Sequence, residues 1–186
     1  MKLLALLMAM VLGLSGCADG DPEVQQGMQL RAKLLKAERV SFDAEITADY
    51  GEKIQAFSVS CRSDKEGNVF FSVTAPETIA DITGRIDEDG GALTFDDKAL
   101  YFELLTDDQL SPVSAPWILM KTLRSGCLTS ACREEDGLRL TIDDSYEDDA
   151  LTVDIWLDQQ NLPHRADILY DGRRILTLNV KNVVIA

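Results

Sequence analysis

The stretch Val40-Ser41-Phe42-Asp43-Ala44-Glu45-Ile46-Thr47-Ala48-Asp49-Tyr50 decides the fold, because apolar and polar residues alternate along its whole length. A period of two is the pattern of a β-strand that buries one face and exposes the other to water. We therefore expect Ile46 in the interior and Glu45 in solvent.

The alternation continues downstream after short turns. The apolar positions of the next two predicted strands are Phe57, Val59, Cys61, Val69, Phe71 and Val73. Pro76 ends the third strand, because proline cannot donate a hydrogen bond to a strand ladder. Turn-forming residues at 87–91 and 96–98 predict two further hairpins. This succession of strands and short loops predicts an antiparallel meander.

Two helices are predicted outside this meander. The first begins with Asp21 as N-cap and Pro22 at the first helical position, and its apolar spacing runs to Glu38. The second follows Pro112 and ends at Gly126, since glycine is common just past a helix end. Alternation then returns from residue 138 to the end of the chain. With about ten strands and no βαβ spacing, the predicted class is α+β, mostly β, with one antiparallel sheet.

The N-terminal residues predict export. A 12-residue apolar run, Leu3 to Leu14, follows the single basic residue Lys2. This pattern is typical of a secretory signal and is too short for a permanent membrane span. The sequence Leu14-Ser15-Gly16-Cys17 is similar to a bacterial lipobox, in which the cysteine is acylated and the chain is cut before it. The alternative is an ordinary signal peptide with a chance cysteine.

This interpretation divides the chain into three parts. Residues 1–16 are the predicted signal peptide, residues 17–22 are a lipidated N-terminus with a short spacer, and residues 23–186 are a single domain. The predicted location is the extracytoplasmic face of the cell membrane or envelope, with Cys17 as the lipid anchor.

The charge of the chain excludes nucleic acid as a partner. Without the signal peptide, 170 residues carry 17 bases and 32 acids, a formal net charge of −15. Such a surface repels phosphate backbones and anionic lipid headgroups. Contact with the membrane is therefore expected through the acyl chains on Cys17.

Three cysteines remain after Cys17. Cys61 lies on the same face of its predicted strand as the apolar residues, so it is predicted to be a buried free thiol. Cys127 and Cys132 are predicted to close a small loop as a disulfide, provided that the compartment is oxidising. The single histidine, His164, has no zinc-ligand spacing with any of them.

No motif indicates catalysis, a metal or a cofactor. The acidic stretch 143–149 lacks the alternate-residue spacing of a calcium loop and is predicted to be a solvated hairpin tip. Nucleophile elbows, phosphate loops and zinc-protease motifs are absent from the sequence. The predicted function is therefore non-enzymatic. Trp117 and Met120 on the second helix are candidates to line an apolar cavity, with core packing as the alternative.

Taken together, these patterns resemble the LolA/LolB-like lipoprotein-carrier superfamily, and most closely the LolA-like lipoproteins of Firmicutes. The resemblance is carried by strand and turn patterns at 42–51, 57–61, 73–84, 110–112 and 163–178. It implies an incomplete barrel, curved around helices, that encloses an apolar cavity for acyl chains or a partner. The implied cavity residues are Phe57, Val59, Phe71, Trp117, Met120 and Leu123. The superfamily's carrier also has an arginine that holds its lid, and no residue here is assigned to that role.

Two functional hypotheses follow from the sequence. In the first, a non-catalytic, membrane-anchored lipoprotein binds a lipophilic ligand or acyl chain in its half-barrel. In the second, the same fold is an envelope or spore-associated interaction module that binds a protein and no lipid. Exposed apolar residues on an open concave face favour the first, and an exposed apolar edge strand favours the second.

Overall fold

In the computed structural model of the chain, the alternating stretch forms strand β1 (Arg39–Asp49), which lies in the middle of a large sheet. The structure describes residues 21–96, 98–103, 105–106, 109–146 and 150–186. The predicted signal peptide, the lipobox and Cys17 lie outside the described residues.

Most of the described chain is β-structure. The strands that follow β1 are β2 (Ile54–Asp64), β3 (Val69–Ala75), β4 (Thr83–Asp87), β5 (Gly90–Phe95), β6 (Lys98–Phe102), β7 (Leu105–Thr106) and β8 (Gln109–Leu110). The later strands are β9 (Cys127–Glu134), β10 (Gly137–Asp143), β11 (Thr152–Leu157), β12 (Pro163–Tyr170) and β13 (Arg173–Ile185). The helices are α1 (Pro22–Lys36) and α2 (Ala115–Ser125), and single 3₁₀ turns lie at Glu77–Ile79 and Pro112–Ser114.

Eleven strands form one antiparallel sheet in the order β6-β5-β4-β3-β2-β1-β13-β12-β11-β10-β9. Its two ends, β6 and β9, do not pair with each other over their described residues, so the barrel is incomplete. Strands β7 and β8 form a separate small hairpin. The predicted fold class, an open antiparallel half-barrel with an early and a late helix, is confirmed.

One face of the sheet, which we call the inner face, carries the core. On β1 the inward residues Phe42, Ala44, Ile46 and Ala48 are buried, while Glu45 is exposed. Residues opposite each other in antiparallel strands point to the same face of the sheet. Val59 on β2 and Leu178 on β13 lie opposite inward residues of β1, and both are buried. The register predicted from alternation is confirmed.

Helix α1 packs its apolar stripe on this inner face. Its start is as predicted: the Asp21 carboxylate accepts a hydrogen bond of 3.0 Å from the backbone N–H of Glu23, and Pro22 is the first helical residue. At Gly27 the helix comes so close to β10 that an added Cβ would lie 3.0 Å from the Leu140 side chain.

The region after α2 differs from the prediction. The helix ends at Ser125 with Gly126 as its C-cap, as expected, but the chain then enters β9 directly. Cys127 and Cys132 lie five residues apart in this strand, which places their Cα atoms about 16 Å apart. A disulfide requires Cα atoms about 4.4–6.8 Å apart, and both thiols are free in the structure. The prediction of a loop closed by a disulfide is corrected to an extended strand with two separate thiols.

Within the described residues, neither helix has both the length and the apolar character that crossing a membrane requires.

Candidate functional site

The residues implied as a cavity lining are buried in the core. Each of the six side chains Phe57, Val59, Phe71, Trp117, Met120 and Leu123 is at most 9% exposed, and all belong to one hydrophobic cluster. Contact between these residues and a ligand stays a prediction. The exposed apolar surface of the inner face lies further along the sheet, towards β6.

Burial along the inner face decreases from β3 to β6. The register places Phe71 opposite Gly84, Gly84 opposite Leu93, and Leu93 opposite Leu100, so these four positions share the inner face. Phe71 is buried and Leu93 is half-buried, whereas Leu100 is 64% exposed. The helices pack against β2, β9 and β10 and leave the β4–β6 end of the inner face open.

The open end carries five apolar side chains, which we call the inner-face patch. Its members are Ile82, Leu93, Phe95, Leu100 and Phe102. Ile82, Leu93 and Phe102 pack against the core cluster, so the patch continues the core without a break. Phe95, 56% exposed, forms its outer limit together with Leu100. A continuous exposed apolar surface of this kind marks a candidate ligand or partner site.

Two glycines flatten the patch. A Cβ added at Gly91 would overlap the Phe102 ring, and one added at Gly84 would overlap the Phe71 ring. Each aromatic ring therefore lies across the backbone of the adjacent strand, where a side chain would otherwise stand. The result is a smooth surface made of ring faces and branched aliphatic groups.

The dimensions of the patch suit an extended alkyl chain. Its residues occupy three rows along the strands, and successive rows are separated by two residues, or roughly 6.6 Å. The patch therefore measures about 13 Å along the strands, the length of about ten methylene groups in an extended chain.

Helix α2 is held over the buried half of the inner face by Arg31 on α1. The Arg31 Nε donates a hydrogen bond of 2.9 Å to the carbonyl oxygen of Leu123, and Nη2 donates one of 2.7 Å to that of Gly126. A cation at a helix C-terminus satisfies carbonyls that have no partner within the helix. Burial lowers the pKa of Arg31 from its ordinary value. The sequence gives no indication of this contact.

A second arginine fixes α2 to the sheet. The Arg124 Nη1 donates to the Ser63 hydroxyl at 2.9 Å and to the Asp64 carbonyl oxygen at 2.8 Å. Burial lowers the pKa of this arginine as well. Beside it lies a groove of about 480 Å³ between α2 and the turns at the ends of β2 and β4. Trp117 touches this groove, but its rim is charged, so it differs in character from the inner-face patch.

The described residues contain no cluster of three or more side chains suited to hold a metal ion. His164 lies on the surface, and its Nε2 is 2.9 Å from the backbone oxygen of Asp136. This contact joins the start of β12 to the turn between β9 and β10.

The fold and the patch together define an open antiparallel half-barrel with an exposed apolar inner surface. No protein-family model matches the chain, and no curated protein sequence matches it. Several solved structures are similar to it in fold. An uncharacterized conserved protein from Thermus thermophilus is 11% identical over 88% of this chain and 87% of its own, with a TM-score of 0.48.

Two further structures carry informative names. A domain assigned to outer membrane lipoprotein sorting from Vibrio parahaemolyticus is 8% identical over 88% of this chain and 92% of its own, with a TM-score of 0.45. A LolA superfamily protein from Nitrosomonas europaea is 9% identical over 86% of this chain and 93% of its own, with a TM-score of 0.44. The second of these belongs to the superfamily that the sequence resembles. The likeness is one of fold alone.

Proposed function

We propose that this protein is a non-catalytic lipoprotein of the cell envelope that binds a lipophilic ligand, such as an acyl chain, on the inner-face patch. The observation that carries the proposal is the exposure of Phe95 and Leu100 on the face of the sheet that elsewhere forms the core. Apolar groups of this size normally avoid water, and a ligand would remove them from it.

The expected affinity is modest. Covering the exposed parts of Phe95 and Leu100 would bury on the order of 200 Å² of apolar surface, or about 5 kcal/mol at the usual coefficient. The loss of translational and rotational freedom on binding offsets much of this gain. A single short chain should therefore bind weakly, and a ligand with a longer chain, or with more than one, should bind more tightly.

Apolar contacts should supply most of the free energy of ligand binding. The net charge of the chain without its signal peptide is −15, so an anionic headgroup gains nothing from long-range attraction. We expect binding to change little with salt, because screening acts on charges and only slightly on apolar contacts.

The proposed location and attachment rest on Cys17. The lipobox supports acylation of this residue and retention on the extracytoplasmic face of the membrane or envelope. Helix α1 begins at Pro22, five residues after the anchor, which gives a tether of at most about 17 Å. The patch would then work close to a membrane, where lipophilic ligands are found.

Native mass spectrometry of residues 18–186, expressed without the signal peptide, tests this proposal. A lipophilic molecule that co-purifies with the wild-type protein and is lost from the Leu100→Asp variant would support it. A wild-type protein that carries nothing and takes up no added fatty acid would contradict it.

A further inference from the structure

The free edge of β6 offers backbone groups for pairing with another strand. Among the described strands, β6 is the last in the sheet and pairs only with β5. Phe95 and Lys98 pair across a connection of two residues, a geometry in which these two exchange hydrogen bonds with each other. Hydrogen-bonded pairs alternate along an antiparallel ladder. The backbone N–H and C=O groups therefore point towards β5 at Lys98, Leu100 and Phe102. They point away from the sheet at Ala99 and Tyr101.

In the described part of the chain, this edge has little of the usual protection against strand pairing. Natural edge strands carry charges, prolines or covering elements that prevent it. On β6, Lys98 is the only charged residue, Tyr101 is 79% exposed on the outer face, and Leu100 is exposed on the inner face.

The opposite edge, β9, is protected. Arg133 of β9 donates a hydrogen bond of 3.0 Å to Gln26 of α1 and lies 3.8 Å from the Glu23 carboxylate. The exposed residues of β9 are the polar residues Thr129, Ser130, Arg133 and Glu134. Of the two edges of the described sheet, β6 is therefore the one better suited to pair with another strand.

A trough on the outer face adjoins the β6 edge. Its floor is formed by small residues of β5, Gly90 and Ala92, and its volume is about 710 Å³. The register places Arg85 of β4 on one side of Ala92 and Tyr101 of β6 on the other. A side chain from a strand added at β6 could therefore reach over Tyr101 into the trough.

The charge of the trough favours a cation. Arg85 is held by the Asp87 carboxylate at 3.1 Å and by the Asn68 side-chain oxygen at 2.8 Å, so its charge is already compensated. Asp89 and Glu103 also line the trough, and in the described part of the chain neither has a salt-bridge partner. The exposed Tyr101 ring offers a further favourable surface for a cation.

We propose that the β6 edge is a docking site for an extended segment of another protein, which adds a strand to the sheet and places a basic side chain in the trough. Backbone hydrogen bonds to Ala99 and Tyr101 supply affinity, and the trough selects lysine or arginine at one position. A second copy of this chain fits less well, because two chains of charge −15 repel each other. The site uses the edge and the outer face, whereas the proposed ligand lies on the inner face.

The test uses the full chain, processed by the cell and reconstituted in nanodiscs. The probes are two fluorescent peptides of equal length, one alternating Val and Lys and the other alternating Val and Glu. Anisotropy titration is expected to show at least tenfold tighter binding of the Val-Lys peptide. Equal binding of the two peptides, or no binding of either, would overturn the proposal.

Variants of Ala99 separate strand addition from general attraction to an acidic protein. Ala99→Pro removes an outward N–H without breaking the ladder to β5, and it should weaken binding of the Val-Lys peptide at least tenfold. Ala99→Ser keeps the N–H and should bind as the wild type does. Fatty-acid binding should be unchanged in Ala99→Pro. An Ala99→Pro variant that binds the peptide normally would overturn the proposal.

Amide exchange in the wild-type protein gives a readout that does not depend on any variant. The peptide should slow exchange at the Ala99 and Tyr101 amides, and unchanged exchange at both under saturating peptide would overturn strand addition. Sedimentation of the protein alone should show a monomer. A dimer that Ala99→Pro dissociates would identify a second copy as the occupant and contradict the choice of a basic partner.

Discussion

Arg31 and Gly126 join the two helices: the guanidinium on α1 donates a 2.7 Å hydrogen bond to the carbonyl oxygen just past the end of α2. The same guanidinium also bonds the Leu123 oxygen. Because α2 covers the buried half of the inner face, this contact helps to hold the packed part of the half-barrel together.

Replacing Arg31 with alanine should destabilise the fold by about 2 kcal/mol, since charged hydrogen bonds to otherwise unpaired helix carbonyls are lost. Urea unfolding measures this change. Lys33→Ala, an exposed cation on the same helix, is the control and should change stability by less than about 1 kcal/mol. Equal effects of the two substitutions would mean that Arg31 acts only through its charge.

The register of β1 is tested by neighbouring residues on opposite faces. Ile46 is fully buried, so Ile46→Asp should cost several kcal/mol by burying an unpaired charge. Glu45 is exposed, and Glu45→Ala should stay within about half a kcal/mol. Similar losses of unfolding free energy in both variants would contradict the inner-face assignment.

The three described cysteines should differ in reactivity. Burial raises the pKa of the Cys61 thiol well above its ordinary value, and the nearby Asp43 carboxylate adds to the effect. Since the thiolate is the reactive form, Cys61 should be alkylated slowly in the folded protein, while the half-buried Cys127 and Cys132 react faster.

Mass mapping without prior reduction measures these rates at each cysteine. Added denaturant should remove the difference, because Cys61 then reaches solvent. Recovery of a peptide in which Cys127 and Cys132 are linked would support the disulfide prediction. It would contradict the continuous strand β9.

Attachment to the membrane is tested at Cys17. We expect Cys17→Ala to abolish acylation and to leave the chain uncleaved or released from the membrane, whereas Ala18→Ser should be processed normally. Fractionation with intact-mass analysis measures both. Normal processing and membrane retention of Cys17→Ala would contradict the lipobox interpretation.

Alternation of residues in the sequence was enough to predict most of the fold. Period-two patterns gave the strand faces, and the cap residues Asp21 and Gly126 gave one end of each helix. The strand at 127–134 was missed because Cys127, Thr129, Ser130 and Cys132 do not alternate clearly between apolar and polar. Two cysteines close in sequence then suggested a loop.

The candidate site was less predictable. The sequence shows that Trp117 and Met120 are apolar, but not that the sheet and helices bury almost all of their surface. Leu93 and Leu100 lie on the same face of the sheet as the core residues, and only the extent of the helices decides that Leu93 is half-buried and Leu100 exposed. The sequence gives no signal for the role of Arg31 at the end of α2, because its partners are backbone carbonyls about 90 residues away.

The central claim is that the inner-face patch binds an apolar chain, and two neighbouring residues of β6 test it most directly. Leu100 and Tyr101 are both largely exposed and lie on opposite faces of the sheet. Replacing either with aspartate adds the same charge at an exposed position, and neither change should unfold the protein.

The decisive measurement is titration of residues 18–186 with dansyl-labelled undecanoic acid, followed by its fluorescence. We predict saturable binding to the wild type, at least a tenfold loss of affinity in Leu100→Asp and less than a twofold change in Tyr101→Asp. Equal affinity of the two variants, or no binding to the folded wild type, would contradict ligand binding on the inner face.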